Sequence, residues 1–139
     1  GAAAAAGAAS MDADIAHMTA LRDRLPAMLA EEPALSGIAV NVPQSEARAP
    51  HIVSLRMPKI KSETMLNFLS GKGIAVSSGS ACSAQSGRIS SALLCFGLSE
   101  AEADTTLRIS LCADNTEEEL TALCDALKTG IKMLARMKR

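Results

Sequence analysis

One segment of this sequence gathers residue types that suit sulfur chemistry. Residues 77–88, SSGSACSAQSGR, set a single thiol, Cys82, among Ser77, Ser78, Gly79, Ser80, Ala81, Ser83, Ser86 and Gly87. Small polar neighbours offer little apolar surface for burying a sulfur, so this thiol is expected to be reachable by solvent. Nucleophilic sulfur chemistry needs such a sulfur, able to become thiolate and to meet two partners in turn. The competing reading is an ordinary serine-rich surface loop with an incidental cysteine. Arg108 is the second candidate. It sits in TLRISLC (residues 106–112), where Leu107, Ile109 and Leu111 alternate with Arg108, Ser110 and Cys112. That alternation sends the guanidinium off a strand opposite the apolar face, where it can fork onto a carboxylate. The competing reading is a solvated arginine on an open sheet face.

The other thiols invite a plainer account. Cys124 lies on an apolar helical stripe and Cys95 in the apolar run Leu93–Phe96, so both read as small packed core residues. Cys112 reads as structural. The cysteines form no C-x-x-C pair and the histidines are only His17 and His51, so no metal site is expected. No phosphate-binding G-x-x-x-x-G-K-S/T or G-x-G-x-x-G pattern occurs.

Composition narrows the field further. The 139 residues are 48% hydrophobic and 21% charged, which is the balance of a chain that buries a core rather than a disordered one. A formal net charge of −1 gives no basic footprint for nucleic acid. No apolar run approaches the length of a membrane span. No charged stretch followed by an apolar run opens the sequence, so reduced thiols in the cytoplasm are expected rather than a disulfide framework.

The elements that must position Cys82 and Arg108 follow from spacing. Residues 1–10, GAAAAAGAAS, carry no amphipathic face and read as part of a helix belonging to a larger body. Ile15, Met18, Leu21, Leu25 and Met28 recur at helical intervals, and Pro26 is expected to kink or end that helix near Leu25. Residues 36–42 and 51–57 read as strands. Ser62 is placed as the cap of a short helix with Met65, Leu66 and Leu69 inward, stopped at Gly71 and Gly73. Ile74–Val76 reads as a short strand before the serine-rich loop. Ser90–Phe96 reads as a short helix ending at Gly97, and Ser99 caps another. A final helix opens with a Thr116/Glu119 capping box and carries the stripe Leu120, Leu123, Cys124, Leu127, Ile131 and Leu134. The sum is an α+β domain, a small mixed or antiparallel sheet with helices packed on one face.

Three motifs in order, SSGSACSA (77–84), LRIS (107–110) and the helix start NTEE (115–118), resemble the closing portion of the cysteine desulfurases. These are pyridoxal-phosphate enzymes of the class V aminotransferase family. The resemblance extends over KSETMLNFLSGKGIAVSSGSACSA and ISSALLCFGLSEAEADTTLRISLCADNTEEEL, nearly the whole chain. It implies the fold of the C-terminal small domain of a pyridoxal-phosphate transferase. It implies that sulfur leaves L-cysteine as a persulfide on Cys82, yielding L-alanine, with Arg108 binding the substrate carboxylate. Ser78, Gly79, Ser80, Ala81 and Ser83 would form the catalytic loop. Further implications are a sulfur-acceptor protein, a role in iron–sulfur cluster assembly, and a homodimer in the full-length form.

The family's cofactor lysine, in a Ser-x-His-Lys-type motif of a preceding large domain, has no counterpart here. Lys59, Lys61, Lys72, Lys128, Lys132 and Lys138 stand in no such context. Ala49-Pro50-His51 also stands where the family has Leu-Pro-Asn. The expectation is therefore a C-terminal small domain at residues 12–139, preceded by an interdomain-helix or linker remnant at 1–11 and inactive by itself. The alternatives are a standalone persulfide carrier and a regulatory or pseudoenzyme domain.

Overall fold

The computed structural model describes residues 1–42, 48–78 and 90–136. The chain opens with α1 (Ala2–Glu31), followed by a 3-10 turn (Pro33–Leu35), β1 (Ala39–Val40) and β2 (Ile52–Arg56). Then come α2 (Ser62–Ser70), β3 (Ser77–Ser78), α3 (Ser91–Cys95), α4 (Glu100–Asp104), β4 (Thr106–Ser110) and α5 (Glu117–Arg136). The four strands form one sheet in the order β1-β2-β4-β3, every neighbour antiparallel.

Alternation along the strands decides which face is covered. Val53 and Leu55 of β2 and Leu107 and Ile109 of β4 are buried on one side. They meet Leu21, Leu25 and Leu29 of α1, Met65 and Leu69 of α2, and Leu120, Leu123, Cys124 and Leu127 of α5 in a single core. Burying each such side chain is worth about 1.5–3 kcal/mol. Helices α1, α2 and α5 thus lie on one face of an antiparallel sheet, in keeping with the α+β expectation.

Helix α1 runs through Pro26 without ending there, so of the two expected effects of the proline the ending does not occur. The proline removes one helical hydrogen bond, at a cost of about 3 kcal/mol. Leu25 and Leu29 flank it, 0% and 3% exposed, and their burial keeps both halves seated on the sheet. Leu29 joins the core rather than Met28, which is half-buried.

Other boundaries also shift. Lys61, not Ser62, is the residue before α2. Ser62 is its first helical residue and is buried. The segment expected as one strand over 36–42 supplies only the two residues of β1, after the 3-10 turn. The strand expected at Ile74–Val76 instead comprises Ser77 and Ser78, because pairing with β4 rather than apolar content defines it. Gly73 and Gly97 take φ of +78° and +91°, the left-handed conformation that glycine adopts without strain at a helix end.

The predicted caps at Ser99 and Thr116 are present. The Ser99 hydroxyl accepts from the Glu102 N–H while Glu102 accepts from the Ser99 N–H. Thr116 Oγ1 accepts from the Glu119 N–H at 3.4 Å, and Glu119 Oε2 accepts from the Thr116 N–H at 3.1 Å. Among the described residues no helix is long and apolar enough to cross a membrane.

Candidate carboxylate-binding face

The opposite face of the sheet carries Ile52, Ser54 and Arg56 of β2, Thr106, Arg108 and Ser110 of β4, and Ser77 of β3. Arg108 is exposed there, as alternation predicts. Its register partners are Ser54 on β2 and Ser77 on β3. Asn41, just past β1, donates its N–H to the Ser54 carbonyl and so continues the same row. The row across the sheet therefore reads Asn41, Ser54, Arg108, Ser77.

Hydrogen bonds tie its members in two pairs. Asn41 Nδ2 donates to Ser54 Oγ at 3.1 Å and lies 3.4 Å from Thr106 Oγ1. Arg108 Nη2 donates to Ser77 Oγ at 3.4 Å. Thr106 is 1% exposed, and its hydroxyl is committed to the Glu102 carbonyl at 2.8 Å.

Arg108 differs from three other arginines in its company. Arg22 pairs with Asp23, Arg24 with Glu31 and Glu117, and Arg56 with Glu102. Glu102 is held below the usual carboxylate range by the Ser99 N–H first, then by the Ser99 hydroxyl, with the Arg56 charge adding to both. Among the described residues no carboxylate pairs with Arg108; its only side-chain bond is to a neutral hydroxyl. A guanidinium offers five donors in a fixed fork, and most of those on Arg108 remain available to an incoming anion.

Beside the Asn41–Ser54 end of the row is a groove of about 430 Å³ whose walls include Arg22, Arg48, Val42, Ile52, Ser54 and Phe96. Val42, Ile52 and Phe96 are among the exposed large hydrophobics. The sequence reading had not singled out Asn41, Ser54 or Ser77 as partners of Arg108. The alternation of β2 puts Ser54 on a polar face, but only the strand register shows that this face is Arg108's.

Of the other sequence candidates, Ser78 is half-buried in β3, opposite Leu107. Cys82, Gly79, Ser80, Ala81 and Ser83 lie outside the described residues. Cys124 is buried in the core, and burial first, then the Asp125 charge, pushes its thiol up. Cys95 is exposed, against the expectation of a packed thiol, because the short helix α3 buries none of its residues. Cys112 is exposed, two residues past the end of β4. His17 meets the Asn115 carbonyl at 2.8 Å. No group of His, Cys, Asp or Glu among the described residues could hold a metal ion.

The same residues test whether pyridoxal phosphate fits this chain. An aldehyde cofactor needs an amine to anchor it. Lys61 pairs with Asp104 at 3.3 Å, Lys128 pairs with Glu32 at 2.5 Å, and Lys72 lies over the Phe68 ring at 5.7 Å. The open-face row contains no lysine. Lys61, Lys72 and Lys128 thus stand apart from the row of Arg108, each beside a partner of its own.

A model of the aminotransferase class-V family matches residues 1–123. A protein called cysteine desulfurase IscS from Clostridium botulinum is 35% identical over 111 residues, 74% of this chain and 28% of the relative. A solved NifS-like protein is 30% identical with a TM-score of 0.68, over 92% of this chain and 30% of that one. A NifS-like protein from Rickettsia africae superposes with a TM-score of 0.72 at 24% identity, over 88% of this chain and 30% of that one, a likeness of fold. The chain thus spans under a third of the length of these relatives.

Proposed function

The chain belongs to the class-V aminotransferase family, and on that premise we propose that it is the small-domain part of a cysteine desulfurase. In this reading residues 12–139 form the small domain and residues 1–11 continue the interdomain helix. The reaction is L-cysteine plus the Cys82 thiol giving L-alanine plus a Cys82 persulfide. One sulfur atom moves from carbon to sulfur and the atoms balance. Cys82 then delivers that sulfur to an acceptor protein. Pyridoxal phosphate, bound by a large domain outside this chain, supplies the electron sink for cleaving the carbon–sulfur bond. A homodimeric full-length protein in the cytoplasm completes the reading.

The observation that carries the proposal is Arg108. It stands on an open sheet face without a carboxylate partner among the described residues, and its strand neighbour β3 runs directly into the Cys82 segment. A free α-carboxylate is the group such a fork selects. Supporting it are the relatives named as cysteine desulfurases.

The test joins this chain to the cofactor-binding domain and measures alanine release from L-cysteine. A hydrogen bond to a charged group is worth about 1.5–3 kcal/mol, so Arg108→Ala is expected to lower kcat/KM by roughly 10- to 150-fold. Cys82→Ser is expected to leave no persulfide on the protein by mass spectrometry. Full persulfide formation in the Cys82→Ser protein would overturn the assignment of the sulfur carrier. An unaltered kcat/KM in Arg108→Ala would overturn the carboxylate grip.

A further inference from the structure

A carboxylate held by Arg108 has oxygens left over. Two carboxylate oxygens present about four acceptor sites, and a bidentate guanidinium fills two of them. The structure places two further hydroxyls beside that fork, one on each side. Ser77 accepts from Arg108 and so is already part of the grip. Ser54 is the more telling neighbour. It lies directly across the strand pair from Arg108, where opposed Cβ atoms are about 4.5–5.5 Å apart. Its oxygen accepts the Asn41 Nδ2 bond at 3.1 Å, and among the described residues its own proton goes to no acceptor. It is half-buried, so the hydroxyl is reachable.

We infer that Ser54 is a specificity-determining residue that donates its hydroxyl proton to the carboxylate gripped by Arg108. Asn41 is its positioning residue. Asn41 occupies one Ser54 lone pair from the β1 side, which keeps the hydroxyl hydrogen off that side and leaves it free for an acceptor beside β4. Thr106 limits the movement of Asn41 from below, since its own hydroxyl is committed to the Glu102 carbonyl. The polar row thus discriminates thiol compounds that carry an α-carboxylate from those that lack one. This inference rests on the proposed role of Arg108 and extends it to the identity of the group bound.

The experiment titrates the 139-residue chain with L-cysteine and, separately, with cysteamine, which has the same amine and thiol but no carboxylate. The readout is the NMR signal of the Arg108 Nε–H, a reporter that a purely structural role for Ser54 would not move selectively. L-cysteine is expected to shift this signal and cysteamine to leave it in place. Ser54→Ala is expected to weaken L-cysteine binding about tenfold, and Ser54→Thr, which keeps the hydroxyl, to restore it. Asn41→Ala is expected to weaken binding about threefold, and Asn41→Ala/Ser54→Ala to be no weaker than Ser54→Ala alone, because Asn41 acts through Ser54. Ser54→Cys, nearly isosteric with a poor donor, serves if alanine unsettles the strand.

Ser54→Ala binding within twofold of the unaltered chain, with Arg108→Ala abolishing the shift, overturns this inference and leaves the role of Arg108 standing. L-cysteine that fails to move the Arg108 signal in the unaltered chain overturns both.

Discussion

Replacing Gly130 with alanine sets two effects of similar size against each other, and the geometry decides between them. Gly130 lies in the second turn from the end of α5, where alanine is preferred over glycine by about 1 kcal/mol. A methyl group there would sit 2.8 Å from Met65 Sδ and 3.0 Å from both Cδ1 and Cε1 of Phe68. Those neighbours are where α2 packs on α5. The Phe68 ring is half-buried and can swing outward, but Met65 is 0% exposed and has core on every side. Forcing a methyl into a filled core costs about 1–3 kcal/mol. The overlap outweighs the propensity gain, and Gly130→Ala is expected to destabilise the fold by about 1 kcal/mol. The sequence has no Trp or Tyr, so the assay is urea unfolding followed by far-ultraviolet circular dichroism. With a slope of about 2 kcal/mol per molar urea, the midpoint should fall by about 0.5 M. Met65→Val removes the sulfur from the contact point. In that background Gly130→Ala is expected to change sign and raise the midpoint, the signature of direct coupling. A raised midpoint for Gly130→Ala in the otherwise unaltered chain would refute the packing argument.

Three further outcomes follow from features described above. Glu102 titrates below its ordinary value of 4.5 in the fold, so its stabilising contribution is complete above that pH and disappears as pH falls through the lower folded value. Thermal melts from neutral to acid pH should therefore show Glu102→Gln less stable at neutral pH and less sensitive to acid; parallel acid limbs would count against this. Cys124 should react with iodoacetamide more slowly than Cys112 and Cys95, since its thiol is buried and pushed up, and equal labelling by peptide mapping would contradict the burial described. Thr116→Ala should cost about 1 kcal/mol of stability in urea unfolding by removing the acceptor for the Glu119 N–H, and an unmoved midpoint would deny that cap a role.

Local chemistry made parts of this fold readable and long-range pairing hid the rest. The alternation of β4 announced both the burial of Leu107 and Ile109 and the exposure of Arg108, because period-two patterning is set residue by residue. The cap at Ser99 and the box at Thr116 were equally legible, since each is closed within three residues. The continuation of α1 past Pro26 was not, because what seats both halves on the sheet is tertiary burial of Leu25 and Leu29. Nor was the strand at Ser77–Ser78. Two serines have little strand preference, and their assignment comes from bonding to a segment 30 residues later. The partnership of Ser54 with Arg108 is hidden for the same reason. Each residue could be placed on a polar face, but only the register tells that the two faces are one.

The pairing of β3 with β4 has a consequence for reaction rates. Ser77 is fastened opposite Arg108, and Cys82 follows Ser78 by four residues. Four residues span at most about 14 Å even when fully extended. The sulfur is thus leashed to the rim of the arginine's surroundings and cannot diffuse away between encounters. A group confined by so short a leash meets its neighbour at an effective concentration of millimolar or above, as in any linked pair whose tether can span the gap. A thiol held in this way needs no binding energy of its own to find a molecule seated at Arg108, and lengthening the leash would dilute it without touching either residue.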